Sequence, residues 1–150
     1  MRLSLSDKAN PKSKWTSRKK VLLAVAVIVA LVVIPQFVYI FMQTHAATRA
    51  FSAFAQALVE KDYQRAYTMT SPEFQSATSE ANFVAQQRLL CSDLGGVEKV
   101  TKGSYETQKQ SDGWSSDISA RVICKQGEKE VDFSLKKQSN VWKVYGYKER

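Results

Sequence analysis

One histidine, two cysteines and three prolines are spread over 150 residues. The histidine, His45, stands just past a long apolar run and reads as an interfacial polar residue. Any histidine base or catalytic triad would have to be assembled there, remote from a folded pocket. Two cysteines and one distant histidine cannot supply a closed four-ligand zinc site, so no metal is expected. There is no Gly-rich phosphate loop, no lipase-type serine elbow and no metalloprotease motif. From these absences no catalytic residue, no cofactor and no enzymatic activity are expected.

Charge of one sign is also missing where a nucleic-acid binder would need it. The net charge is +8. Residues 1–20 hold Arg2, Lys8, Lys12, Lys14, Arg18, Lys19 and Lys20 against Asp7, a net of +6. Residues 43–150 keep 15 basic and 13 acidic side chains, a net of +2. That near-neutral balance lacks the footprint that phosphate binding requires, and no nucleic-acid partner is expected.

What the chain does have is Val21 to Met42, 22 residues without a charge. As a helix it would measure about 33 Å, against a hydrocarbon core of about 30 Å. It reads as a transmembrane helix between a basic tail, residues 1–20, and a domain, residues 43–150. Arg18, Lys19 and Lys20 abut its N-terminal end, which predicts the N-terminus in the cytoplasm and the domain outside. The tail is either a topology signal alone or also draws anionic headgroups at about 1 kcal/mol per charge. Trp15 on one side and Tyr39 and Phe41 on the other suit the two interfaces. The rival is a cleaved signal peptide, with Thr44-His45-Ala46 as its cleavage site. The apolar run is too long for that, and bulky residues precede the site. Pro35 is tolerated in a membrane helix. Gln36 is either a polar residue near the interface or a hydrogen-bonding contact to a neighbouring helix.

The outer domain begins with helical periodicity. Ala47, Phe51, Phe54, Ala55, Leu58 and Val59 form one apolar stripe, with Thr48, Ser52, Gln56 and Glu60 opposite. Asp62 is placed to cap a short helix from Tyr63 to Met69. Ser71-Pro72-Glu73 combines a capping hydroxyl, a first-turn proline and an acid at the positive end of the dipole. A further helix is expected from about Ser79 to Asp93, with Phe83, Leu90 and Leu94 on one face. Gly95-Gly96 ends it.

The period then changes to two. Ile118, Ala120, Val122 and Cys124 alternate with polar residues, as do Val131, Phe133 and Leu135. Turns are signalled at Asp112-Gly113, Gln126-Gly127 and Ser139-Asn140. With Val97 to Gln108 before and Val141 to Lys148 after, the pattern is a four-stranded antiparallel meander. The fold class is therefore α+β: a transmembrane helix, then two or three helices packed on that sheet.

Cys91 and Cys124 both fall on apolar faces. Outside the cytoplasm such a pair favours a disulfide, worth about 2–4 kcal/mol; two buried thiols are the alternative. Glu80, Glu98, Glu106, Asp117, Glu130 and Asp132 mostly alternate with apolar positions, as solvated faces do. Tyr63, Tyr67, Phe133, Trp142 and Tyr145 belong to an aromatic set that is either core or the lining of a pocket for an apolar ligand.

Three runs of sequence stand in a telling order. Ala50-Phe51-Ser52-Ala53-Phe54-Ala55-Gln56-Ala57-Leu58 leads into Lys61-Asp62-Tyr63-Gln64-Arg65-Ala66-Tyr67. Ser71-Pro72-Glu73-Phe74 follows, and Val141-Trp142-Lys143-Val144-Tyr145-Gly146-Tyr147 closes the chain. Over about residues 46–148 this resembles the nuclear transport factor two-like superfamily, and within it the uncharacterised bacterial branch of membrane-anchored domains and lipoproteins. The resemblance implies a cone of helices wrapped by a curved sheet, in a domain outside a bacterial inner membrane. It also implies an open sheet face through which members often dimerise. Members with isomerase or dehydratase activity keep an acid or a histidine inside the cone. Here no histidine is available and Asp132 is read as outward. The expected function is thus a non-catalytic interaction domain on one membrane span, binding a protein partner or a second copy. Binding of a small apolar ligand is the alternative, and isomerase chemistry a third.

Overall fold

The computed structural model describes residues 12–150, with side chains from Lys19 onward. Most of the basic tail, including Arg2, Asp7, Lys8 and the side chain of Trp15, lies outside the described residues. Two compact units are present, Met1–Tyr39 and Ile40–Arg150. The described part of the first is helical. Its apolar residues are exposed, and among the described residues one helix is long and apolar enough to cross a membrane.

Helix α1, Lys12–Val59, contains Pro35 and runs without a break through Thr44, His45 and Ala46. Within the second unit it carries the expected stripe. Ala47, Phe51, Phe54, Ala55 and Leu58 are at most 7% exposed. Helix α2, Tyr63–Thr68, starts where Asp62 accepts the amide of Arg65 at 3.1 Å. Helix α3, Pro72–Ala77, starts where the Ser71 hydroxyl accepts the amide of Phe74, also at 3.1 Å. Helix α4, Glu80–Leu89, is capped by Ser79 and is shorter than the periodicity suggests. Cys91 leaves the helical range, with φ at −130°, where it bonds to Cys124. A 3-10 turn, Ser92–Leu94, completes the connection.

Strands β1 (Val97–Gln110), β2 (Gly113–Cys124), β3 (Gly127–Gln138) and β4 (Val141–Glu149) form one antiparallel sheet in chain order. The β3–β4 turn uses Ser139 and Asn140, both at positive φ, the two-residue geometry that matches strand twist. At the outer edge of β4, the Ser71 amide donates to the Val144 carbonyl at 2.8 Å and the Val144 amide to Met69 at 3.1 Å.

The helices cover one face of this sheet. Ile118, Val122, Val131, Phe133 and Leu135 point into the interior, each at most 2% exposed. Phe51 stacks near Phe133 at 5.2 Å between centroids, Phe54 lies 5.9 Å from Phe133, and Phe83 lies 6.4 Å from Phe54. Each buried ring contributes about 1.5–3 kcal/mol of transfer free energy. The Tyr147 hydroxyl accepts from buried Gln87 and donates to Gln86, both at 2.7 Å. Burial raises its pKa above the ordinary phenol value.

Candidate functional site

The face of the sheet turned away from the helices is polar. Antiparallel register sets Asp117 opposite Ser134 and Ser119 opposite Asp132. Each serine hydroxyl donates to the aspartate across from it, at 2.7 Å in both pairs. Arg150, just past β4, brings Nε to 2.6 Å from Asp132 Oδ2. Its Nη2 donates to Ser119 Oγ at 3.3 Å. The Arg150 guanidinium, with the Ser119 hydroxyl second, lowers the Asp132 pKa below the usual carboxylate range.

Two bulges shape this face. Between Ser134 and Leu135 the β3–β4 register slips, so Gly146 faces Ser134 and Val144 faces Leu135. Tyr145 is the extra residue. It is 40% exposed, and the Lys136 ammonium sits 4.4 Å from its ring centroid. A second slip lies between Lys102 and Tyr105 on β1. There a Cβ on Gly103 would lie 2.9 Å from the Ser119 carbonyl oxygen, so only glycine lets β1 approach β2 this closely. Bulges of this kind bend strands and re-aim side chains next to functional sites. Between them lies an open groove of about 780 Å³, lined by Glu106, Asp117, Asp132, Tyr145, Lys148 and Arg150 among others.

The five aromatic residues proposed as a ligand pocket are not gathered around one cavity. Phe133 and Trp142 are core residues, 2% and 6% exposed. Tyr67 is half-buried against Phe83 and donates its hydroxyl to the Thr78 carbonyl at 2.8 Å. Tyr63 lines a separate depression with Gln87 and Arg88. Tyr145 alone of the five belongs to the sheet groove. Cys91 and Cys124 form the expected disulfide, and no cysteine is free. Among the described residues no group of three or more histidine, cysteine or carboxylate side chains can hold a metal ion.

The reading of Asp117 and Asp132 as merely solvated missed their cross-strand partners. Gly103 and Gly146 inside strands are the local sign of the two bulges.

No protein-family model matches the chain, and no curated protein matches it. Solved structures do. It is similar to Aln2 from a Streptomyces species at 12% identity, covering 73% of this chain and 90% of that one with a TM-score of 0.54. A protein described as an NTF2-like transpeptidase from Campylobacter jejuni is 19% identical, covering 62% of this chain and 91% of that one with a TM-score of 0.46. Likeness at this identity concerns the fold alone, and no reaction is carried over. It does correct one expectation. With a fold shared by proteins such as Aln2, the lack of a catalytic motif does not make this chain a non-enzyme, and that expectation is withdrawn. The second unit has an α+β fold, and the fold shared with Aln2 extends over 73% of the chain.

Proposed function

We propose that the chain is a single-pass membrane protein whose outer domain binds a protein partner through its open sheet face. Val21–Met42 is the span, residues 1–20 are cytoplasmic, and residues 43–150 lie outside a bacterial inner membrane. The anchor is uncleaved. Cutting after Ala46 would sever α1 next to Ala47, a fully buried core residue.

The observation that carries the binding reading is the groove between the two bulges. The helices occupy one face of the sheet and leave the other open. There a half-exposed tyrosine stands beside fixed carboxylates and an arginine. Tyrosine and arginine are the side chains most often found to dominate protein interfaces, with a polar rim around them. No observation favours the apolar-ligand reading, since Phe51, Phe54, Phe83 and Phe133 fill the space between helices and sheet.

Photocrosslinking in intact cells tests this. A photoreactive amino acid in place of Tyr145 or Lys148 should trap a discrete adduct, and the same group at Gln126, on the distant β2–β3 turn, should not. The adduct mass separates a second copy from another protein. Equal labelling at all three positions, or none, overturns the binding face. Release of the full chain from membranes by alkaline carbonate overturns the anchor.

A further inference from the structure

In a four-stranded meander the β1–β2 and β3–β4 hairpins turn at the same end of the sheet. Lys136 Nζ lies 3.2 Å from Asp112 Oδ2 and ties the two tips together. At that end Lys137 Nζ donates to Gln43 Oε1 at 3.0 Å. Gln43 directly follows Met42, the last residue of the apolar run. If that run crosses a membrane, Gln43 emerges beside the headgroup layer.

The chemistry of this end suits that layer. Lys109, Lys136, Lys137 and Lys143 stand there against Asp112 and Glu73, an excess of two positive charges. Glu73 is tied in by Gln138, whose amide donates to it at 2.7 Å. The other 11 basic and 11 acidic residues of 43–150 balance in number. Val141 is 55% exposed on the β3–β4 tip. Among the described residues, Ser115 Oγ, Gln138 Oε1 and Trp142 Nε1 are buried without a hydrogen-bond partner, and all three belong to these hairpins. Lysine stems with an apolar tip are the side chains that settle between acyl chains and phosphates.

We propose that the hairpin end docks on anionic phospholipid headgroups of the leaflet from which the domain emerges. The membrane then serves as a second binding surface, and docking fixes which way the open sheet face is presented. The inference rests on the membrane-spanning reading above.

The test uses the full chain in lipid nanodiscs that contain a headgroup-nitroxide lipid. A fluorophore is placed on Ser111→Cys at the hairpin end or on Gln126→Cys at the opposite end. With about one-third phosphatidylglycerol, quenching at Ser111 should exceed that at Gln126 about threefold or more, and should fall in pure phosphatidylcholine. Lys109→Glu with Lys143→Glu should remove the dependence on phosphatidylglycerol. Near-ultraviolet circular dichroism checks that this variant folds, and the lipid comparison on the unaltered lysines decides the matter without it. Equal quenching at the two positions, or no response to lipid charge, overturns docking while the span stands. A chain that does not remain in the discs overturns the spanning reading and docking with it.

Discussion

Removing the Cys91–Cys124 bridge by C91A/C124A should lower the melting temperature of the domain by about 16 °C. The bond joins residues 33 apart and ties the end of α4 to the end of β2. For a loop of that length the chain-entropy relation gives about 12.5 cal/mol/K, or about 3.7 kcal/mol at 25 °C. The 108 residues that follow the first 42 of 150 form the melting unit. At about 2.1 cal/mol/K per residue its unfolding entropy is about 0.23 kcal/mol/K, and the quotient is the predicted shift. Alanine is the right replacement. The two sites are 1% and 3% exposed, and a serine hydroxyl buried there would add its own cost of about 1–3 kcal/mol. The assay is near-ultraviolet circular dichroism of the full chain in detergent, which follows the packed aromatic rings and not the apolar helix. Unaltered protein under a reducing agent should melt close to the variant. A fall of less than about 5 °C in both samples would refute a bridge that holds the two elements together by restricting the unfolded chain.

Four further outcomes can be measured. Phe83→Ala should destabilise the domain by about 3–5 kcal/mol in urea titration, because its ring is fully buried among Phe54, Tyr67 and Phe74. Tyr147→Phe should cost about 1–3 kcal/mol, since it strips the buried Gln87 amide of its partner; a neutral result would mean that the amide repacks. Ser71→Ala should cost about 1 kcal/mol through the lost cap of α3, with Ser71→Asp recovering part of it. A carboxyl NMR titration should find Asp132 below the ordinary value of about 3.9, and Arg150→Ala should return it upward. Because the folded pKa is the lower one, the Arg150–Asp132 pair stabilises fully above that ordinary value. Its contribution disappears as pH falls through the depressed value.

Much of the fold is legible in local patterns. The stripe from Ala47 to Leu58 is a period of 3.6 and comes out as the buried face of α1. The alternation from Ile118 to Cys124 is a period of two and comes out as the inner face of β2. Asp62 and Ser71 announce their helices because a capping side chain acts within three residues of itself. The expected helix to Asp93 is shorter: α4 ends at Leu89, Cys91 leaves helical geometry where it is bonded to Cys124, and a 3-10 turn follows. The aromatic pocket is not formed. Tyr63, Tyr67, Phe133, Trp142 and Tyr145 are alike in type, but Tyr63 and Tyr67 lie on α2, while strand parity and one bulge bury Phe133 and Trp142 and expose Tyr145.

By itself, the sequence determined where the apolar run lies, most of the positions of helix and strand, and which side of those elements is buried. These depend on the solvation of neighbours in the chain, and periodicity records that directly. Only the tertiary structure decided the rest. Register sets Asp117 against Ser134 and Ser119 against Asp132. Two bulges open the groove, and Arg150 turns back onto Asp132. The hairpin tips reach the level of Gln43. Each of these joins residues far apart in sequence, through backbone pairing whose offset no local pattern states. The groove and the hairpin end are the two surfaces that follow from that pairing.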